Sequence, residues 1–295
     1  MYFIAWTKLR SAVAGNNQKL YIGKVKMEFI AEIGWNFMGD MGLAEKMVHS
    51  AKKAGATTVK FQYWDPAKLK AGDWDHDGRR EIYELAKLNR QKILDLQSFA
   101  SQAEIKFLIS VFNAEDAKIM SDLDIKEIKI PSHEITNTEL HSFCMQNFKK
   151  IYLSCGACTE QELASIVDTY GKRPVECGLV AMHCVSSYPC PSDKANLPRL
   201  SRLKNLFNCD IGLSDHTQST VVPAISISYG CNVIEKHFTS DKELPGRDNK
   251  FAMVESEFSE MVDNCLEAVK ATSFLGMDYL DIESQTVDVY RGRWG

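Results

Sequence analysis

Residues 211–239 contain two short apolar runs, IGLSDHT at 211–217 and VIEKHFT at 233–239, and each run closes beside a histidine. A helix-length segment, Gln218–Tyr229, separates them. This order is typical of a strand–helix–strand unit with parallel strands. In a (β/α)8 barrel, such a unit would bring His216 and His237 to one rim, where barrels of this kind keep their active sites. A single strand-end histidine is usually structural, so the functional hypothesis depends on there being two in neighbouring units.

The same alternation runs along the chain from Glu28 onward, which indicates a parallel sheet built of βα units. Strands are predicted at Phe29–Ile33, Thr57–Gln62, Lys106–Val111, Glu127–Ile130, Lys150–Ser154, Gly178–Cys184, Asp210–Leu213 and Asn232–Glu235. Helices are predicted at Leu43–Ala54, Arg90–Ala103, Ala114–Met120, Thr138–Asn147, Glu160–Thr169, Leu197–Leu206, Gln218–Tyr229 and Glu255–Ala271. We therefore predict an α/β fold, a (β/α)8 TIM barrel whose closed parallel sheet has eight helices outside.

One barrel domain at 27–275 is the simplest division of the chain. Residues 1–26 hold five basic side chains and no acidic one, and form a basic N-terminal extension. A transit peptide and sequence upstream of a natural start at Met27 are the alternatives for this extension. Residues 276–295 are assigned as a C-terminal tail. The longest irregular stretch, Tyr63–Arg80, is predicted to cover the top face of the barrel as a lid or substrate contact.

The composition excludes several classes of function. A chain of 295 residues, 45% apolar, can bury one large core. A net charge of -4 gives no basic field for nucleic acid and no polybasic membrane patch. No apolar run approaches the ~20 residues that a spanning helix requires. Nine scattered cysteines favour reduced thiols in a cytoplasmic protein over a disulfide framework, and Cys155 and Cys158 are expected to pack despite their redox-motif spacing.

Polar side chains concentrate at the predicted strand ends. Lys60 and Lys129 lie inside apolar runs, and burying an ammonium group is costly unless an anion is close by. Glu32 could supply that anion, and so could a phosphate ligand bound with the help of strand-end serines. The alternative for each lysine is a strand-edge position from which the side chain reaches water. With a two-histidine site for Mn²⁺ or Zn²⁺, these residues indicate an anionic substrate near a metal.

Two reactions fit this set of residues. In the condensation of a phosphorylated enol with a carbonyl compound, the metal polarises the aldehyde oxygen and cationic side chains neutralise the phosphate. A Schiff-base aldolase would instead use Lys60, Lys129 or Lys236 as its nucleophile. Sequence spacing does not choose between them.

Six motifs, in order along the chain, resemble the N-acetylneuraminate (sialic acid) synthase family. They are AEIG at 31–34, VKFQ at 59–62, IKIPSHE at 128–134, GLSDHT at 212–217, IEKHFT at 234–239 and PGRD at 245–248. The resemblance covers about Glu28 to Ala271. It implies a transferase of sialic acid biosynthesis that condenses phosphoenolpyruvate with an open-chain N-acetyl-hexosamine, typically N-acetylmannosamine, in a metal-dependent reaction. The products would be a nine-carbon 2-keto sugar acid and inorganic phosphate.

Matched position by position, the resemblance also implies roles for single residues. His216 and His237 would bind the metal, usually Mn²⁺ and sometimes Mg²⁺. Catalytic roles fall to Glu32, Glu134, Lys60 and Lys129, with Glu134 as the first choice for the base that activates water and Glu32 as the second. Substrate binding is assigned to Gln62, Ser110, Ser132, Ser154, Ser186, Tyr188, Ser214, Glu235 and Asp248.

The chain departs from the family pattern in several places. His133 replaces a small residue, and Ser186 stands where the family usually has asparagine. The family usually adds a C-terminal antifreeze-like domain, which gives an arginine to the partner's sugar site in a domain-swapped dimer. This chain stops at Gly295, so that domain is expected to be absent or separately encoded, and a homodimer is expected from the resemblance only. A synthase for a diacetamido nonulosonate of the legionaminate or pseudaminate type, and a partner-dependent or non-catalytic barrel, remain alternatives.

Overall fold

A computed structural model of the protein describes residues 21–22 and 25–294, with side chains from Met27 onward. Before the barrel, Tyr21–Ile22 and Val25–Lys26 pair as a short antiparallel hairpin. Most of the basic N-terminal extension, and with it the choice between a transit peptide and upstream sequence, lies outside the described residues.

Eight parallel strands close into a barrel, which confirms the predicted fold. Each strand pairs with the next in chain order, and β8 pairs with β1 to complete the ring. The strands are β1 (Glu28–Gly34), β2 (Thr58–Gln62), β3 (Lys106–Ser110), β4 (Glu127–Ile130), β5 (Lys150–Ser154), β6 (Gly178–Cys184), β7 (Asp210–Asp215) and β8 (Val233–His237).

Nine α-helices surround the strands in the part of the chain that the structure describes. They are α1 (Met41–Lys53), α2 (Arg79–Ala86), α3 (Arg90–Gln102), α4 (Ala114–Asp122), α5 (Thr138–Asn147), α6 (Glu160–Tyr170), α7 (Arg199–Phe207), α8 (Val222–Ile227) and α9 (Glu255–Ala271). The predicted helices are all present, and α2 is additional. Helix α8 begins later than predicted because the Ser219 hydroxyl accepts hydrogen bonds from the amides of Val221 and Val222, forming a turn at the expected start.

Successive strand residues face alternately outward and inward, so the two sides of the barrel wall have different chemistry. Outward residues such as Phe29, Ala31 and Ile33 pack with the helices in one large apolar core. Inside the barrel, a smaller apolar layer is made of Ile30, Leu108, Tyr152, Val180, Met182 and Val233. This layer separates a charged cluster around Glu28 at the amino-terminal end from the polar residues at the carboxyl end, where the predicted site residues lie.

The structure also bears on the cysteines and on membrane-spanning helices. All nine cysteines lie in the described residues and are free thiols, as predicted. None of the described helices has both the length and the apolar character that crossing a bilayer would take.

Candidate active site

A cavity of about 290 Å³ opens at the carboxyl ends of the barrel strands. Thirteen of the fifteen residues assigned to the site from sequence line it: Glu32, Lys60, Gln62, Ser110, Lys129, Ser132, Ser154, Tyr188, Ser214, His216, Glu235, His237 and Asp248. Seven more complete its wall: Trp35, Tyr83, Phe112, Pro131, His133, Cys184 and Arg247. The barrel therefore brings residues from distant parts of the chain to one rim.

The floor of the cavity is a buried cluster of opposite charges. Lys129 Nζ lies 2.9 Å from each carboxylate oxygen of Glu235, and Lys60 Nζ lies 3.1 Å from Glu235 Oε2. The Ser214 hydroxyl donates to Glu235 Oε1 at 2.9 Å. Burial acts to raise the pKa of Glu235, but Lys129 and Lys60 outweigh it and hold that pKa well below its usual range. Two ammonium groups therefore share the Glu235 carboxylate, and the cluster has positive charge available to an anionic ligand whenever neighbouring Glu32 is protonated.

Glu32 borders this cluster, and its pKa is shifted in the opposite direction to that of Glu235. Its Oε1 accepts a 2.6 Å hydrogen bond from the Gln62 amide and lies 3.4 Å from Lys60 Nζ, while its buried Oε2 has no hydrogen-bond partner among the described residues. Burial raises the pKa of Glu32 to about 7, against the opposing effect of Lys60. A carboxyl group with this pKa can exchange a proton near neutral pH, as a general acid or base must.

Gly34 makes the contact between Glu32 and Gln62 possible. It ends β1 at a φ of +56°, and a Cβ atom there would lie 3.3 Å from Gln62 Nε2 and 3.5 Å from Glu32 Oε1. A larger residue would therefore crowd the hydrogen bond and strain the backbone.

The two histidines lie side by side above the charged floor. Their ring centroids are 5.6 Å apart, and the Tyr188 ring lies against both, at 4.1 Å from His216 and 6.0 Å from His237. His216 Nδ1 lies 2.8 Å from the Val185 carbonyl; in the neutral ring it donates its proton there and leaves Nε2 with a free lone pair. Burial acts to lower the pKa of His216, but contacts with Cys184 and the Val185 carbonyl outweigh it and raise that pKa. Burial lowers the pKa of His237 well below its usual value, and the neutral ring is the form that binds metals.

These residues fit a divalent metal. Two imidazoles with centroids 5.6 Å apart can share one ion, given metal–nitrogen bonds of about 2.1 Å. Buried His237 Nδ1 has no hydrogen-bond partner among the described residues, and Asp248 Oδ2 is 3.8 Å from it. No third His, Cys, Asp or Glu joins them in a metal-binding group anywhere in the described chain. Two protein ligands would leave coordination positions for water and substrate oxygens.

The outer wall of the cavity is largely aromatic. Trp35, directly after β1, packs edge-on against Tyr83 of α2 at 5.0 Å, and Tyr83 packs against Trp64 at 4.4 Å. Arg247 and Asp248 stand beside them. Burial raises the pKa of Asp248 to about 6, while Arg247 acts to lower it. An aromatic surface beside a carboxylate and a guanidinium group suits a polar ligand that carries hydroxyl groups and C–H faces.

Two residues assigned from sequence lie outside the cavity wall. The Glu134 carboxylate accepts a 2.8 Å hydrogen bond from the Asn137 amide, next to the start of α5. Ser186 is exposed, and its hydroxyl lies 3.7 Å from Cys184 Sγ. Lys236, one of the lysines considered for Schiff-base chemistry, is also absent from the wall.

Seven wall residues were not assigned to the site from sequence, although His133 is one of the noted departures from the family pattern, and most of the seven carried a signal. Trp35 directly follows the AEIG motif, and Arg247 lies inside PGRD. Cys184 ends β6, and Phe112, Pro131 and His133 follow strands. Tyr83 carried no such signal, because α2 was not predicted and the residue lies far from any strand end in sequence.

A second depression, of about 500 Å³, lies on the outer surface beside α1 and α9. Serines make up half of its lining, and its one lysine, Lys53, lies 2.6 Å from Glu255 and is thereby neutralised. The barrel cavity, with its histidines and paired lysines, is therefore the candidate active site.

Comparison with known proteins gives a consistent result. The model of the NeuB family matches residues 47–275. An N,N'-diacetyllegionaminic acid synthase of Legionella pneumophila is 33% identical over 253 residues, which cover 81% of this chain and 72% of that protein. A pseudaminic acid synthase of Campylobacter jejuni is 32% identical over 273 residues, or 89% of this chain and 78% of that protein.

A solved structure agrees. The N-acetylneuraminic acid synthetase of Leptospira borgpetersenii, in complex with citrate, superposes with a TM-score of 0.79 at 25% identity, over 92% of this chain and 95% of that one. The family model covers well over half of this chain. The chain therefore belongs to the NeuB family, and its barrel is that of an N-acetylneuraminate synthase-like enzyme.

Proposed function

We propose that this protein condenses phosphoenolpyruvate with an N-acetylated hexose and water, giving a sialic-acid-like nonulosonate and inorganic phosphate. The observation that carries the proposal is the layered cavity. Two ammonium groups share one carboxylate at its floor, two neighbouring imidazoles lie above them, and an aromatic and carboxylate wall surrounds its mouth.

Phosphoenolpyruvate is assigned to the floor. Lys60 and Lys129 supply the cationic charge, and the strand-end hydroxyls supply hydrogen bonds that suit phosphate and carboxylate oxygens. These hydroxyls belong to Ser110, Ser132, Ser154 and Ser214, all of them buried and all on the cavity wall. The acceptor sugar is assigned to the outer wall, where Tyr188, Asp248 and Gln62 can bind its polar groups.

A divalent metal, Mn²⁺ or Mg²⁺, held by His216 and His237 would polarise the aldehyde oxygen of the open-chain sugar. The methylene carbon of phosphoenolpyruvate attacks the aldehyde carbon, a carbon–carbon bond forms as the carbonyl π bond breaks, and the aldehyde oxygen takes up a proton from solvent. Positive charge develops at the phosphate-bearing carbon, where the carboxylate of Glu235 or ionised Glu32 can stabilise it. Water adds at that carbon, the carbon–oxygen bond to phosphate breaks, and the 2-keto acid and phosphate leave.

Glu32 is the proposed base that takes the proton from the attacking water. Its position on the cavity wall, the free Oε2 atom and a pKa of about 7 support this role. Glu134 was the first choice from sequence. Its contact with Asn137, away from the cavity wall, supports Glu32 instead.

The Schiff-base alternative has less support. A lysine nucleophile must be neutral, and Lys60 lies between two carboxylates, Glu235 and Glu32, which outweigh the effect of burial and raise its pKa. Burial lowers the pKa of Lys129 and of Lys236, against the opposing effects of Glu235 and Asp215. Lys129 nevertheless donates to both oxygens of Glu235, and Lys236 is ion-paired outside the cavity wall.

Two acceptor classes are proposed, in order. N-acetylmannosamine is the first. A 2,4-diacetamido hexose is the second, because relatives with 32–33% identity are named legionaminic and pseudaminic acid synthases. We also propose a homodimer in the cytoplasm, a setting that suits nine free thiols. Light scattering coupled to size-exclusion chromatography would measure the mass of the assembly, and a monomer would contradict the dimer.

The test is a phosphate-release assay with purified protein, Mn²⁺ and phosphoenolpyruvate. Release is expected only when an acceptor is added, and removal of the metal by a chelator should abolish it. The panel would contain N-acetylmannosamine, its 6-phosphate and the 2,4-diacetamido hexoses. Release in the absence of any acceptor, or none with every acceptor, would contradict the proposal. Reduction with borohydride in the presence of pyruvate should leave the protein unmodified, whereas a Schiff-base enzyme would be trapped.

A further inference from the structure

Behind the two histidines, on the outer side of the barrel wall, lies a buried ion pair. Lys236 Nζ is 2.7 Å from Asp215 Oδ2, and the two side chains are 2% and 3% exposed. The residues are partners across β7 and β8. Asp215 directly precedes His216, and Lys236 directly precedes His237. Since strand residues alternate in direction, the pair faces away from the cavity that the histidines line.

The lysine also contacts the residue on the other side of His216. Its ammonium donates to the Thr217 backbone carbonyl and lies 3.4 Å from the Thr217 hydroxyl. Asp215 in turn accepts from the Thr217 amide at 3.0 Å and from its hydroxyl at 2.9 Å. The ammonium group of Lys236, the residue before His237, thus contacts both Asp215 and Thr217, the residues on either side of His216.

Stability alone does not account for this pair. Removing two charges from water is costly, and well-packed apolar residues of similar size often serve a fold equally well. The hydrogen-bonded groups do, however, fix the ends of two strands relative to one another. A metal shared by two imidazoles is sensitive to such geometry, since residues that orient metal ligands typically change affinity by about 10- to 100-fold when they are mutated.

We infer that Asp215, Lys236 and Thr217 form a positioning clamp that sets the separation of His216 and His237 for a shared divalent metal. None of the three is a catalytic residue, because none lines the cavity. The inference rests on the metal site of the proposed function and is independent of which sugar the enzyme uses.

The test compares the affinity for Mn²⁺ with the thermal stability. Each single change, Asp215→Asn or Lys236→Met, leaves a buried charge without its partner. It should therefore lower both the Mn²⁺ affinity and the melting temperature. In the double variant Asp215→Asn/Lys236→Met neither charge is left unpaired, so the melting temperature should recover toward that of the wild type. The double variant should still bind Mn²⁺ about ten-fold more weakly than the wild type. Binding is measured by electron spin resonance, as the loss of the signal of free Mn²⁺.

The control is an ion pair at the opposite end of the barrel. Lys106 Nζ lies 3.1 Å from Glu28 Oε1, below the apolar layer. Unlike the Asp215–Lys236 pair, Glu28 and Lys106 each have a second charged partner, Lys150 and Glu127, which the double variant Glu28→Gln/Lys106→Met would leave behind. This variant should therefore lower the melting temperature and leave the Mn²⁺ affinity unchanged. If Asp215→Asn/Lys236→Met does not fold, Thr217→Val keeps both charges, removes one hydroxyl, and should weaken Mn²⁺ binding in the same direction.

If the double variant folds and binds Mn²⁺ as tightly as the wild type, the clamp is overturned. If only Thr217→Val folds, wild-type Mn²⁺ affinity in that variant overturns it. Wild-type protein that binds no Mn²⁺ would overturn the clamp together with the metal site. The phosphate-release assay, run on the same preparation, separates these failures, since acceptor-dependent release by the wild type upholds the condensation whatever the clamp variants do.

Discussion

Gln62 holds one oxygen of the Glu32 carboxyl group and leaves the other free. The Gln62 amide donates to Glu32 Oε1 at 2.6 Å, whereas Oε2, buried at the cavity wall, has no partner in the described part of the chain. A buried oxygen without a partner is costly, and such atoms in a folded protein call for an explanation. We propose a functional explanation, because Glu32 lines the cavity beside Lys60 and is the proposed base.

Replacing Glu32 by glutamine is expected to lower kcat by about 10²- to 10⁴-fold, the usual contribution of a general base. The amide keeps the shape of the side chain and cannot accept the proton. The KM for phosphoenolpyruvate should change little, because Lys60 and Lys129 remain. Steady-state phosphate release measures both constants. Glu134→Gln is the matched control, and a larger loss of kcat there than in Glu32→Gln would return the base to Glu134.

The activity should depend on pH through the same carboxyl group. Glu32 must be ionised to act as a base, and burial raises its pKa to about 7. The kcat/KM for phosphoenolpyruvate is therefore expected to rise as pH increases through about 7, and then to level off. A profile already flat between about pH 5 and 8 would exclude a group with this pKa from the rate-limiting proton transfer. Residual activity of Glu32→Gln should lack this rise.

Stability in acid should depend on Glu28 at the amino-terminal end of the barrel. Burial acts to raise its pKa, but Lys106, Lys150, Thr58 and Tyr152 outweigh it and lower the pKa to about 2. A pKa depressed from 4.5 stabilises the fold above about pH 4.5, and this contribution is lost as pH falls through about 2. The shift corresponds to roughly 3 kcal/mol.

The variant Glu28→Gln is therefore expected to lose up to roughly 3 kcal/mol in the free energy of unfolding at pH 7, and progressively less in acid. Urea unfolding at several pH values measures this difference. The barrel surface offers a control in Glu115, whose carboxylate pairs with Lys68 at an exposed site. Glu115→Gln should change the free energy at pH 7 much less, because solvent screens an exposed ion pair. Equal losses in the two variants would contradict the role of Glu28.

Tyr83 should contribute to binding of the acceptor sugar and not to binding of phosphoenolpyruvate. It reaches the outer wall from α2 and packs between Trp35 and Trp64. Tyr83→Ala is therefore expected to raise the KM for the acceptor sugar about ten-fold, which corresponds to about 1.4 kcal/mol, at unchanged KM for phosphoenolpyruvate. Leu85→Ala on the same helix, 61% exposed, is the control. A parallel rise in both KM values would point to a general loss of structure.

How far the sequence predicts this molecule depends on where a residue stands relative to a strand. His216, His237, Lys60 and Lys129 were placed correctly at one rim, because strand periodicity and barrel closure together determine which end and which face a strand residue occupies. Loop residues do not obey that rule. Glu134 follows β4 by only a few residues, yet the 3-10 turn Ser132–Glu134 directs it toward Asn137.

Helix α2 shows a different limit. Its eight residues, RREIYELA, lie within a long polar segment and follow Gly78, so their periodicity is too short to stand out. Tertiary contacts stabilise it instead, through Tyr83 packed on Trp35 and through Arg80, which donates to the Pro66 carbonyl at 2.9 Å. Only Arg79 and Arg80 of α2 fall within the stretch Tyr63–Arg80 that was predicted as a lid or substrate contact. The helix itself and the contribution of Tyr83 to the cavity could only come from the folded structure.

The most direct test of the proposed condensation is the isotopic composition of the phosphate released in H₂¹⁸O. Water is proposed to add at the carbon that carries the phosphate, so the carbon–oxygen bond breaks and the phosphate keeps its original oxygens. Mass spectrometry of a reaction with Mn²⁺, phosphoenolpyruvate and an active acceptor should therefore find unlabelled phosphate in a one-to-one ratio with the nine-carbon 2-keto acid. Phosphate that contains ¹⁸O would mean that water attacks phosphorus, and phosphate without the keto acid would mean that phosphoenolpyruvate is only hydrolysed. Either result would contradict the condensation.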